Sequence, residues 1–177
     1  MSAACDERCR HNRAGWPIGQ WDSEPENRVA FEHVGLPCVL HRGPLGYWCG
    51  YVGVMPGHAL YEIGYSVCSI NCTEYREKAY CSSEHKHTPE SLLRVHGGIT
   101  YSDKCNGPIC HIPQSGESEH AWWFGFDFAH SHDVSPGLLG LARLLPHEGS
   151  HYYTRDEAGE ETRHLAEQLA VLTGESQ

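Results

Sequence analysis

No stretch of about 18 consecutive apolar residues occurs in the 177-residue chain, so no segment reads as a transmembrane helix. The opening MSAACDERCRHNRAG also lacks the apolar run of a secretory leader, which predicts a soluble, cytoplasmic protein. Basic residues are scarce: 13 Lys and Arg stand against 23 Asp and Glu, a formal net charge of −10. Without a Lys/Arg cluster to neutralise a phosphate backbone, general nucleic-acid binding is disfavoured. The chain has no G-x-S-x-G and no P-loop, so no familiar serine-nucleophile or phosphate motif announces a reaction.

What the chain has instead is 14 His, 9 Cys, 5 Trp and 9 Tyr, residues that hold metals or flat ligands as readily as they fill cores. In a reducing compartment the cysteines are expected as thiols or metal thiolates. Six of the nine fall in pairs: Cys5 and Cys9 near His11, Cys68 and Cys72, and Cys105 and Cys110 followed by His111. Zinc favours such spacings, so Cys105, Cys110 and His111 are candidate ligands of a structural zinc, with ordinary burial of the thiols as the alternative.

The patterning predicts an α+β fold: a single compact domain, mostly antiparallel sheet, with a C-terminal helix packed on one face. Residues 1–27 read as a loosely ordered polar arm, 28–173 as the domain and 174–177 as a tail. Short β-favouring runs at Val29–His33, Cys38–Arg42 and Tyr47–Val54 suggest a meander. Further strands are expected at Leu92–Tyr101 and Ala121–Ala129, a weak helix around Cys72–Tyr80, and a short one from Pro136 to Leu145. Thr154 and Glu157 have capping-box spacing ahead of Leu165, Leu169 and Leu172, the clearest helix signal in the chain.

Four constellations could carry chemistry. On a regular strand Arg94, His96, Gly98 and Thr100 would share a face, with Gly97 and Gly98 leaving the backbone open to a ligand or forming a bulge. In WWFGFDFAHSHD, Asp127 lies among aromatics and needs a partner, for which His96 and Arg94 are candidates. A His96–Asp127 dyad would be a catalytic pair, with His96 as general base. His130, His132 and Asp133 are an alternative metal set, similar to the H-x-H-x-D-H of metallo-β-lactamase-like hydrolases but without its last His. Tyr47 and Tyr51, with Trp123, offer flat walls for stacking a ligand, or simply core packing.

The segments GYWCGYVGVMPGHALY, RVHGGITYSDKC, GPICHIP and WWFGFDFAHSHD, followed by a capped helix, resemble a group of uncharacterised small proteins of actinobacterial phages and prophages over residues 43–172. The stretch from Tyr61 to Pro89, with Cys68, Cys72, Cys81, His85 and His87, departs from that pattern. The resemblance implies a phage accessory protein in the host cytoplasm and implies no particular reaction. Three functions follow as expectations. The first is binding of a small nucleotide-derived anionic ligand, countering a host signalling or defence system, by Tyr47, Tyr51, Arg94, His96, Gly97, Gly98, Thr100 and Trp123. The second is a His/Asp or metal-dependent hydrolase of a phosphoester or related bond. The third is a zinc-stabilised protein that meets a host protein partner.

Overall fold

The computed structural model describes Arg13 and residues 15–68, 87–109, 120–142 and 148–172. Five strands form one antiparallel sheet: β1 (Arg28–His33), β2 (Leu36–Arg42), β3 (Trp48–Val54), β4 (Tyr101–Lys104) and β5 (Trp122–Asp127), in the order β1-β2-β3-β5-β4. Among the described residues three α-helical segments accompany them: α1 (Pro89–Leu92), α2 (Pro136–Ala142) and α3 (Arg155–Val171). The chain is thus the expected α+β domain, with α3 lying on one face of the sheet. No helix among the described residues is long and apolar enough to cross a membrane.

Alternation explains the layers. Leu40, Trp48, Val52, Val54, Phe124 and Phe126 point toward α3 and pack with its Ala158, Leu165, Ala166 and Leu169, all nearly or fully buried. The opposite face of β5 is also buried: Trp123 is 0% exposed in a second core with Val39, Ile109 and Ala121. α3 starts as its sequence requires, since the Thr154 hydroxyl accepts from the Glu157 N–H and the Glu157 carboxylate accepts from the Thr154 N–H.

Two expectations are corrected. The strand foreseen at Leu92–Tyr101 does not form; β4 begins only at Tyr101, where the expected strand was to end. Thr88 caps a helical turn by accepting from the Ser91 N–H, and the chain then reverses where the Gly98 N–H bonds the Val95 carbonyl. Arg94, His96, Gly98 and Thr100 therefore share no strand face. The described part of the N-terminal arm is packed rather than loose: Trp21 and Glu24 are buried, and Glu24 is the acceptor for Arg42, Trp48 and Tyr152. The helix foreseen around Cys72–Tyr80 lies outside the described residues.

The β1–β2 hairpin turns on Val34 and Gly35, with φ of 46° and 76°. Positive φ at both positions is the type I′ geometry that matches sheet twist, but it is strained for a β-branched valine. Val34 is exposed, so nothing is lost by changing its side chain. Val34→Asn should stabilise the fold by about 1 kcal/mol. A urea melt with an unchanged or lower midpoint would contradict that reading of the turn.

Candidate functional site

The residues that converge come from the two turns flanking β4 and β5. After β5 the chain folds back so that the His130 N–H donates to Asp133 Oδ2 at 2.8 Å while the Asp133 N–H donates to the His130 carbonyl. This loop sets His130 and Asp133 on one side. His132 is exposed with φ of 75°, and its carbonyl accepts from the His151 N–H. The 95–98 turn brings in His96, whose Nε2 is 2.8 Å from Asp133 Oδ2. His130 Nδ1 lies 3.5 Å from the same oxygen. One ligand atom from each of His96, His130 and Asp133 falls within 4.8 Å of the others.

The metal set expected at His130, His132 and Asp133 is therefore corrected: His96 stands where His132 was foreseen. The dyad is corrected as well, because the carboxylate bonded to His96 is Asp133. Asp127 accepts from the Thr100 hydroxyl at 2.8 Å and from the Ala129 N–H, with its Oδ1 3.9 Å from His130 Nδ1.

Gly97 holds His130 in place. A Cβ at residue 97 would come within 2.0 Å of His130 Cε1 and 2.2 Å of its Nε2, so the imidazole rests where only glycine leaves room. The close approach foreseen at the Gly97-Gly98 step is made by a side chain of the protein itself. Phe128, Tyr153 and His96 complete the wall: Phe128 and Tyr153 stack at 4.3 Å, and the His96 ring lies 4.7 Å and 4.6 Å from them. His151 packs on Tyr153 at 4.6 Å, and its Nε2 lies 2.8 Å from Glu157 Oε1. Burial, with Asp133, Glu157 and Glu161 nearby, raises the Tyr153 phenol. Burial acts against the Glu157 carboxylate, but the Thr154 N–H, its hydroxyl and His151 together hold it below the usual carboxylate range.

The expected stacking walls do not surround this cluster. Trp123 has no exposed surface, and Tyr51 lies over Gly125 and meets Tyr101 edge-on at 5.5 Å. Tyr47 is half-buried, its phenol raised by burial and by Cys49 and Asp127. Arg94 is exposed, its backbone held by Gln168 of α3. Cys105 is disulfide-bonded, so its sulfur is not a thiolate ligand and the all-thiol expectation is corrected there. Cys110 and His111 lie outside the described residues.

Cys49 follows His41 and precedes Asp127 across three adjacent strands, an arrangement that invites a nucleophilic reading. Burial excludes it by pushing the Cys49 thiol up to about 12, as it does Cys38. Neither should react with a disulfide reagent at pH 8 without denaturant. Because both pKa values are raised in the fold, their contribution to stability is complete below about pH 9 and is lost as the pH rises toward 12. Rapid native labelling of either thiol would refute this.

Tyr153 and Glu161 escaped the sequence reading because they belong to no motif; His151 was passed over although it closes the H-E-x-x-H spacing of His147-Glu148-Gly149-Ser150-His151, whose first histidine lies outside the described residues. The i, i+3 spacing of His130 and Asp133 was the signal available for the cluster itself. Comparison of the chain with protein-family models, curated proteins and solved structures finds no match.

Proposed function

We propose that the protein is a metal-dependent hydrolase whose divalent ion is held by His96 Nε2, His130 Nδ1 and Asp133. The observation that carries this reading is His130 Nδ1, a buried nitrogen with no hydrogen-bond partner, 3.5 Å from a carboxylate oxygen that also meets His96. Leaving such an atom unsatisfied costs roughly 1–3 kcal/mol, a cost that ligation removes. Donors about 2.0–2.2 Å from one ion stand about 3–3.5 Å apart, close to the 2.8 Å and 3.5 Å separations from Asp133 Oδ2. Two imidazoles and one carboxylate suit zinc or another first-row ion and leave positions open for water and substrate. A bound ion would polarise the scissile group and lower the pKa of water. The chain's own part is to orient the donors: Gly97 seats His130, Glu161 fixes the His96 backbone, and the aromatic wall shields one side. The four shared segments support a place among phage accessory proteins of the host cytoplasm.

Titration with Co(II), followed by calorimetry and visible absorption, tests the centre. His96→Ala, His130→Ala and Asp133→Asn should each weaken binding by about 100-fold or more, whereas His132→Ala should leave it unchanged. Equal losses in all four variants, or no binding by the parent, would overturn the reading.

A further inference from the structure

The charge around the cluster bears on what the proposed centre would accept, an inference that rests on that reading. Four carboxylates are gathered there. Asp133 is a donor, and Asp127 Oδ1 lies 3.9 Å from His130 Nδ1. Glu161 Oε1 accepts from the His96 N–H at 2.7 Å. Glu157 pairs with His151, whose ring packs on the tyrosine that also touches His96. Among the described residues, none of the four is paired with a lysine or arginine: Asp127, Asp133 and Glu157 lie against histidines, and Glu161 against the His96 N–H. Arg155, the arginine nearest to Tyr153 in the chain, is engaged with Asp156 and Glu26.

A divalent ion brings two positive charges to a cluster of four carboxylates that has no lysine or arginine beside it, so the loaded site disfavours a further anion. A phosphate monoester brings about 1.5–2 further negative charges and is ordinarily met by arginine or lysine clamps. We infer that the site selects an uncharged or cationic carboxylic ester or amide whose flat apolar portion lies against Tyr153, in place of the phosphoester expected from sequence. One water is consumed: its oxygen bonds to the carbonyl carbon and the acyl C–O or C–N bond breaks. One water proton goes to the leaving alcohol or amine, and the other leaves with ionisation of the product acid.

The test compares benzohydroxamate, uncharged in neutral solution, with phenylphosphonate, which presents the same ring on an anionic head. Each is titrated into Co(II)-loaded protein and read from the visible band. Benzohydroxamate should perturb the band at a concentration roughly tenfold lower or less. Because hydroxamates chelate well in general, the deciding arm is Glu161→Gln, which keeps an acceptor for the His96 N–H but removes a charge. That variant should tighten phenylphosphonate binding several-fold more than it tightens benzohydroxamate binding. If phenylphosphonate binds the parent as well as benzohydroxamate does, or if Glu161→Gln moves both ligands together, the selectivity is wrong while the metal centre stands. If Co(II) gives no band that His130→Ala removes, the centre itself is wrong and the selectivity falls with it.

Discussion

Gly97→Ala should reduce divalent-ion affinity by about 100-fold or more, a loss as large as removing a ligand outright. The new methyl would occupy the space of the His130 ring, whose three nearest atoms lie 2.0, 2.2 and 2.5 Å from the Cβ position. His130 must then swing away, and its Nδ1 leaves Asp133. Residue 97 also has φ of 66°, so part of the effect will be loss of stability, on the order of 1 kcal/mol. Gly98→Ala separates the two. Its φ of 88° imposes similar strain, but a Cβ there meets nothing within 4 Å. Calorimetric titration of both variants, alongside urea melts, should show two comparable losses of stability and one loss of affinity. A Gly97→Ala protein that binds Co(II) as the parent does would mean that the imidazole resting on Gly97 is packing and nothing more.

Glu24→Ala should be the most destabilising change in the molecule, by about 3–5 kcal/mol. Arg42 has a fully buried side chain that donates to Glu24 Oε2 at 2.7 Å, to the Tyr152 hydroxyl at 2.8 Å and to the Glu24 and Glu26 carbonyls. The same carboxylate accepts from the Trp48 indole at 3.2 Å, the Tyr152 hydroxyl at 2.7 Å and the Arg155 N–H at 2.6 Å. Alanine would leave a guanidinium buried without its counter-charge, over the Trp48 ring. Pairing Glu24→Leu with Arg42→Met should recover much of the loss, because the expense lies in the orphaned charge rather than in the missing attraction. Equilibrium urea unfolding measures both. A loss below about 1 kcal/mol for Glu24→Ala would show that water reaches Arg42.

The strands of the meander, the alternation of β5 and the cap of α3 were legible because each is a local pattern: residue spacing, glycine punctuation or a box of two residues. The cluster was half legible. His96, Asp127, His130 and Asp133 all stood out, but their pairing depended on the turn at 95–98, whose backbone was misread as extended strand, and on the loop at 130–133, to which no shape was assigned. A histidine on a strand and one on a turn look alike in sequence, and only the turn at 95–98 brings His96 to Asp133. Trp123 misled for a different reason. The face away from α3 looks open when the helix is the only cover in view, yet Ile109, from the short turn at Gly107–Ile109, closes it together with Val39 of β2 and the neighbouring Ala121. The Glu24–Arg42 pair was invisible because no local pattern relates a residue of the N-terminal arm to the one that ends β2.

The placement of β5 between β3 and β4 also orders how the molecule can be built. The β1–β2–β3 meander closes through short connections, so its pairing costs little chain entropy and can form early. β5 finds β3 only after the whole of residues 55–121 has been looped out, and β4 then registers on β5. His96 precedes that late pairing in the chain, and His130 and Asp133 follow it. The three donors are therefore scattered until the slowest, most non-local step is complete, and an ion held by all three reports arrival at the native topology.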